Sequence, residues 1–213
     1  MKPNKSDSVF DATSDMYLNG PPELTTHMTR LLQLFLSHGF VSQVVLLCTL
    51  LPLVKDGLRD TTKSDNYRAI AGGCLVLKLI DLVILILEGD KLDFDCLQFA
   101  YQAKSSTAMC TWTATAVIDH FTRSGSHVYS AAMDMSKAFD LVKWSKLFEI
   151  LLKRKIDPIF LRLLMYIYCN QKCTVKWCGV QSSWFSVKNG VRQGGISSGI
   201  FFAIAIYIDE LLT

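Results

Sequence analysis

The sequence has little net charge and no Cys-x-x-Cys pair. Its 22 basic and 19 acidic residues give a formal net charge of +3, which is too weak to indicate a nucleic-acid partner by itself. Cys169, Cys173 and Cys178 lie close together, but no histidine is near them, and structural zinc sites normally use four ligands at tighter spacing. The sequence therefore favours free cysteines, which are usually small buried residues, over a zinc site.

A secretory leader is also missing from the N-terminus. Residues 1–23 begin with a polar, aperiodic stretch, and we expect them to form a flexible lead-in. Because the seven cysteines are odd in number and no leader precedes them, the sequence favours reduced thiols and a cytoplasmic or nuclear location.

No uninterrupted apolar run of membrane-spanning length occurs. Residues 31–54 carry no formal charge, but polar side chains interrupt them, Gly39 favours a helix end, and Pro52 lies near the end of the segment. A spanning helix needs about 20 predominantly apolar residues. A protein without a membrane span is therefore favoured, and a membrane protein built on residues 31–54 and 74–87 stays an alternative that solubility without detergent would exclude.

Half of the 213 residues are hydrophobic, which is enough for one large domain or two small lobes with a substantial core. Apolar periodicity, caps and glycine stops predict alternating helices and strands. Helices are expected at 22–39, 75–88, 106–123, 144–154, 158–169 and 197–212, and strands at 44–54, 172–177 and 184–188. Residues 55–68 are expected to form an exposed basic turn, and Lys78 and Asp81 are three residues apart and can pair.

Asp134 follows a stretch of small and apolar residues that predicts a short buried strand. This strand is expected in or next to the sheet that contains the hairpin of residues 172–188. Magnesium prefers oxygen ligands and usually keeps phosphates as its other partners, so a carboxylate at a strand end suits such a site. An aspartate after a strand is more often a turn or cap residue, and Asp134 alone leaves both interpretations open.

Four stretches occur in an order that resembles the reverse transcriptases of LINE-type retrotransposons, those without long terminal repeats. They are Leu-Val-Lys-Asp at 53–56, Asp-Asn-Tyr-Arg-Ala-Ile at 65–70, Asp-Met-Ser-Lys-Ala-Phe-Asp at 134–140 and Asn-Gly-Val-Arg-Gln-Gly-Gly at 189–195. One block is weak evidence, but four in this order are specific. The resemblance covers roughly residues 24–213 and implies an α+β right-hand polymerase fold. A fingers-like region would span 24–125 and a partial palm 126–213, with no thumb.

The resemblance also implies roles for residues of the third block. Asp134 matches the first catalytic aspartate, which binds both Mg²⁺ ions, and the backbone carbonyl of Met135 matches a second contact to one metal. Phe139 matches the bulky residue that stacks under the sugar and excludes a 2′-hydroxyl. The implied reaction is templated nucleotidyl transfer by a two-Mg²⁺ mechanism.

The other blocks match residues that bind the nucleotide. Gln193 and Gly194 match the loop that shapes the nucleotide pocket and touches the template. Lys55 and Arg68 match fingers residues that hold the incoming triphosphate. The implied partners are an RNA template, a DNA primer and deoxynucleoside triphosphates.

The family's second catalytic block, Tyr-Ala-Asp-Asp or Phe-Ala-Asp-Asp, does not occur, and the sequence contains no Asp-Asp pair. We therefore expect an incomplete Mg²⁺ site and no polymerase activity from residues 1–213 alone. Residues 196–199, Ile-Ser-Ser-Gly, also replace a stretch that usually contains a proline. A non-catalytic nucleic-acid-binding remnant of the same fold is the alternative.

Overall fold

The computed structural model describes residues 3–7, 9–10, 12–58, 60–94 and 96–206. Helices and a sheet alternate along the chain, which confirms the predicted α+β class. The α-helices are α1 (Ser14–Leu18), α2 (Pro22–His38), α3 (Leu75–Glu88), α4 (Thr107–Arg123), α5 (Trp144–Lys153), α6 (Pro158–Asn170) and α7 (Ser198–Ile206). The strands are β1 (Leu47–Val54), β2 (Tyr67–Gly73), β3 (Lys172–Trp177), β4 (Val180–Gln181) and β5 (Phe185–Ser186). The part of the last predicted helix beyond Ile206 lies outside the described residues.

Helix α2 begins and ends where its proline and glycine predict. Pro22 occupies the first turn, where its missing N–H costs nothing, and Gly39 ends the helix with a left-handed φ of +71°. The guanidinium of Arg162, on α6, donates to the carbonyls of Leu36 and Ser37 at 3.2 and 2.9 Å. These bonds satisfy carbonyls that a helix end leaves without partners, so α6 fixes the end of α2.

Asp7, in the N-terminal segment expected to be a flexible lead-in, is hydrogen-bonded to the start of α3. This residue is 4% exposed, and its Oδ2 accepts the backbone N–H of Leu75, at the start of α3, at 2.8 Å. Its Oδ1 accepts the N–H groups of Val9 and Phe10. Asp7 thus supplies the N-terminal cap that Cys74, the residue before α3, does not provide.

The sheet has the order β2-β1-β3-β4, and β5 pairs with β3. Strand β1 is antiparallel to β2 and parallel to β3. Because side chains alternate between the two faces of a strand, the register places Leu50, Ala71 and Cys173 on one face. Leu53 and Arg68, which are paired, lie on the opposite face.

The core lies where α3, α5, α6 and α7 pack together beside the sheet. Fully buried side chains come from all four helices, among them Ile84, Leu147, Leu151, Leu163, Leu164, Ile167, Phe201 and Ile204. Among the described helices, none is long and apolar enough to cross a membrane. Residues 31–54 are divided between α2, a short 3-10 helix (Gln43–Leu46) and β1.

The predicted strand that leads into Asp134 is wrong. Residues 126–135 have no regular secondary structure, and they are exposed throughout, with Tyr129 at 92% and Met133 at 87%. A strand needs a neighbour to take its backbone hydrogen bonds, and no described strand pairs with this segment. The preceding α4 is a helix, as its Ser106 cap predicts, but none of its residues is buried. Apolar composition alone therefore did not place either segment inside the protein.

Candidate functional site

An open cleft with a volume of about 90 Å³ separates one face of the sheet from the loop that precedes α7. The sheet side is apolar, with Leu50, Ala69, Ala71 and Cys173. The other side is mostly polar and consists of Asp140, Gln171, Val187 and residues 189–193. The cleft therefore combines an apolar wall with a polar one.

Backbone bonds hold the glycine-rich loop against the turn that follows Asp134. The N–H of Gly190 donates to the carbonyl of Val142 at 2.8 Å, and the N–H of Val191 donates to the carbonyl of Phe139 at 2.9 Å. Gly190 has a φ of +89°, and a Cβ there would approach the Phe139 carbonyl to 2.9 Å. Only glycine fits this contact, which joins the 134–140 and 189–195 blocks.

Gln193 and Gly194 lie along the edge of β2. The carbonyl of Gln193 accepts the N–H of Ala71 at 2.7 Å, so the loop is hydrogen-bonded to that edge of the sheet. Gly194 has a φ of +115°, and a Cβ there would come within 3.0 Å of the Ala71 carbonyl. The backbone thus approaches β2 as closely as a glycine allows.

A buried ion pair lies beside the cleft, whose lining includes Arg192. Nη2 of Arg192 is 3.6 Å from Oδ1 of Asp81, and the side chains are 9% and 3% exposed. The guanidinium carbon is 6.0 Å from the centre of the Tyr168 ring. Burial alone would lower the pKa of Arg192, but the Asp81 carboxylate counteracts it, and the net pKa is raised. Asp81, which the sequence suggested as a partner of Lys78, is thus paired with Arg192.

Two buried thiols pack beside this ion pair. Cys48 and Cys173 are partners in the parallel register of β1 and β3, and each is 3% exposed or less. The Cys173 thiol donates to the sulfur of Cys48, and this hydrogen bond lowers the pKa of Cys48.

Asp134 and Met135 lie in the exposed segment just before the turn of residues 136–141. Lys137, in that turn, has a φ of +52°, and its Nζ is 3.1 Å from Oδ1 of Asp65. This contact joins the 134–140 block to the connection between β1 and β2.

The comparisons with known proteins decide the family. The model of the reverse transcriptase (RNA-dependent DNA polymerase) family matches residues 59–212. The chain belongs to this family. A curated relative, the retrovirus-related Pol polyprotein from type-1 retrotransposable element R2 of Nasonia vitripennis, is 27% identical over 108 residues. The match covers 51% of this chain and 10% of the relative. Together these likenesses confirm a reverse transcriptase domain of the LINE type.

In this reverse transcriptase domain, Phe139 packs within an aromatic cluster. Its ring stacks on Phe202 of α7 with centroids 4.4 Å apart and an interplanar angle of 11°, and Tyr101 meets both rings edge-on. Phe139 is half-buried and contacts the core. Phe139, which the resemblance matches to the residue that stacks under the sugar, therefore has a packing role in this structure.

Lys55 and Arg68, the two basic residues expected to hold the triphosphate, are both exposed. Nζ of Lys55 donates to the carbonyl of Asp65 at 2.8 Å. Arg68 points to the face opposite Ala69 and Ala71, which line the cleft. The domain thus joins the loop that contains Gln193 to the backbone of Phe139 through Val191, but it does not place Arg68 in the cleft that Gln193 lines.

The described residues contain no group of three or more His, Cys, Asp or Glu side chains that could hold a metal ion. The oxygens of Asp134 and of the Met135 backbone are hard donors of the kind that Mg²⁺ prefers. This donor set fits one ion. It does not fit a pair, because two neighbouring cations need more carboxylates to offset their repulsion.

No sequence pattern indicated the contact between Asp81 and Arg192. One signal was available, since Asp81 interrupts the apolar run of residues 75–88. A charge at such a position is buried and needs a partner in the folded protein. The identity of that partner, on a distant loop, was not visible from the helix.

Proposed function

We propose that this chain forms the fingers-like region and part of the palm of a LINE-type reverse transcriptase. The substrates would be an RNA template, a DNA primer and deoxynucleoside triphosphates, and the reaction templated nucleotidyl transfer. The family match over residues 59–212 carries this proposal, because it includes the blocks at 65–70, 134–140 and 189–195.

Asp134 and the carbonyl of Met135 are the proposed metal ligands. Mg²⁺ supplies charge neutralisation at the attacking and leaving oxygens of an in-line displacement. The exposure of both residues supports this role, since a hydrated cation that arrives with a triphosphate can reach an exposed segment. Lys55 and Arg68 would neutralise the triphosphate, and the arginine fork suits paired phosphate oxygens.

Phe139, Gln193 and Gly194 are proposed to shape the nucleotide pocket. Phe139 would stack under the sugar, and a bulky ring there leaves no room for a 2′-hydroxyl. The close approach of Gly194 to β2 supports a loop whose backbone touches the nucleotide or the template. The Phe139 carbonyl, bonded to Val191, couples the two parts of the pocket.

Three regions are proposed for the chain: a lead-in at 1–23, a fingers-like region at 24–125 and a partial palm at 126–213. The ion pair between Lys137 and Asp65 supports an arrangement in which the last two regions meet next to the catalytic block. A cytoplasmic or nuclear location would suit an enzyme of this kind.

The experiment measures Mg²⁺-dependent binding of a deoxynucleoside triphosphate and extension of a DNA primer on an RNA template by purified residues 1–213. We expect weak binding that Asp134→Ala abolishes, and no extension, because one carboxylate does not hold two Mg²⁺ ions. Asp119→Ala, an exposed aspartate on α4, is the matched control and should bind as the parent does. Binding that survives Asp134→Ala would refute the assigned role of Asp134.

Primer extension by residues 1–213 would contradict the expectation of an incomplete site. If Asp134→Ala also abolished that extension, another carboxylate would complete the site, and Asp140, which lines the cleft, would be the first to test.

A non-catalytic nucleic-acid-binding role is the second candidate, favoured because the family's Asp-Asp block does not occur in these 213 residues. It predicts that primer–template binds without synthesis and that its affinity falls steeply with salt. Asp134→Ala would leave this binding unchanged, which separates the two functions.

A further inference from the structure

Asp81 contacts the glycine-rich loop through both of its carboxylate oxygens. Oδ1 lies 3.6 Å from Nη2 of Arg192, and Oδ2 accepts the backbone N–H of Ser197 at 3.4 Å. Asp81 sits at the middle of α3, a helix with seven buried residues. A buried carboxylate must be compensated, and the loop supplies that compensation.

The two contacts lie on either side of Gln193 and Gly194. Arg192 precedes these residues and Ser197 follows them, so Asp81 holds both ends of the segment. Between the ends, the carbonyl of Gln193 accepts the N–H of Ala71, and the N–H of Gly195 donates back to the carbonyl of Arg192 at 2.9 Å. The segment is therefore fixed at its ends by α3 and at its centre by β2.

The position of the Arg192 side chain sets the register of the loop. Its guanidinium is buried beside Asp81 and the ring of Tyr168, whereas the next residue runs along the edge of β2. If the loop shifted by one residue along β2, Arg192 would move away from Asp81. The guanidinium and the carboxylate would then both be buried without a partner. Such a cost makes one register strongly preferred.

We propose that Asp81 is a positioning residue that holds residues 192–197 in one register and thereby orients Gln193 and Gly194. The proposal rests on the nucleotide-binding role proposed above for this loop. Asp81 does not touch the substrate. It acts through Arg192 and through the backbone of Ser197.

Two variants of buried carboxylates on the same helix form a matched pair. Asp81→Asn keeps the size of the side chain but removes the charge that faces Arg192. Glu88→Gln is the control, because Glu88 is 5% exposed and pairs with Lys91 at 2.7 Å. Glu88 also contacts the N–H of Asp157, and these contacts are to residues outside the loop.

The first readout is amide hydrogen exchange of the peptide that covers residues 190–197, with global stability measured in urea. Asp81→Asn should speed exchange in this peptide by about tenfold relative to the rest of the chain, as expected for local opening. Glu88→Gln should lower global stability without that local effect. Equal local exchange in the two variants would overturn the proposal.

The second readout is the affinity for a magnesium–deoxynucleoside triphosphate. Asp81→Asn should weaken it by about tenfold, since small displacements of positioning groups have large effects, whereas Glu88→Gln should leave it unchanged. If the parent chain binds no nucleotide, the proposed function fails, but the exchange experiment still tests the register. If Asp81→Asn shows no cooperative unfolding, Arg192→Lys replaces it, and unchanged exchange in that variant would refute the proposal.

Discussion

The backbone N–H of Leu75 donates a 2.8 Å hydrogen bond to Oδ2 of Asp7, which lies 68 residues earlier in the chain. The start of α3 therefore depends on the N-terminal segment. Asp7→Ala should lower the free energy of unfolding by about 1–2 kcal/mol, the usual cost of losing a helix cap. Urea denaturation measures this loss. Asp15→Ala is the control, because the bond that Asp15 accepts from the backbone N–H of Asn4 is exposed, and an equal loss in both variants would contradict a specific role for Asp7.

Phe139→Ala should lower the free energy of unfolding by about 2–3 kcal/mol, less than for a fully buried phenylalanine. The reason is the lost stacking on Phe202, which lies 4.4 Å from it between ring centroids. Phe202→Ala removes the same stack from the other side and should cost a similar amount. Thermal or urea unfolding compares the two variants.

The sugar role of Phe139 needs a longer polypeptide that contains the second catalytic block. In it, Phe139→Ala should relax the discrimination against ribonucleotides, whereas Phe202→Ala should not. The ratio of ribonucleotide to deoxyribonucleotide incorporation measures this effect. If both variants change the ratio equally, Phe139 acts only through packing.

The accessibility of the cysteines is a direct test of the fold. Cys48, Cys74 and Cys173 are buried, and Cys96, Cys110, Cys169 and Cys178 are exposed. We expect four thiols to react quickly with an aromatic disulfide reagent in the native protein and all seven in denaturant. Rapid reaction of Cys173 would show that the strands β1 and β3 are not paired as described.

Stability should fall as the pH rises above 9. Burial raises the pKa of the Cys74 thiol from 9.0 to about 11, so the unfolded chain loses this proton at a lower pH than the folded chain does. The unfolded state then binds fewer protons, and the free energy of unfolding decreases between pH 9 and pH 11. Urea denaturation across this range, with Cys74→Ala as the comparison, isolates the contribution. An identical slope in that variant would assign the loss to other groups.

Local pattern predicted the helices well. The bounds of α3 match the predicted residues 75–88, because an apolar run between glycines leaves little choice, and Ser106 caps α4 as expected. The prediction of a strand before Asp134 was wrong, because a strand depends on more than its local pattern. Apolar residues show that a segment can be buried, but whether a neighbouring strand is present depends on the rest of the fold.

The candidate site was predicted only in part. The identity of residues 134–140 and 189–195 indicated the family, and the structure joins these two blocks through Phe139 and Val191. The stack of Phe139 on Phe202 and the pairing of Arg192 with Asp81 link distant parts of the chain. Such contacts leave no periodic signal, so sequence patterns could not supply them.

The parallel pairing of β1 with β3 has a consequence for how the protein folds. The hairpin of β1 and β2 is local, but Leu47 meets Lys172 only after 125 intervening steps of the chain. Closing so long a loop costs entropy before any contact repays it, and folding slows as the separation between contacting residues grows. During synthesis, one edge of β1 therefore stays unpaired until β3 has emerged from the ribosome. We expect the chain to aggregate most readily in this interval, because an unpaired strand edge can bind another chain.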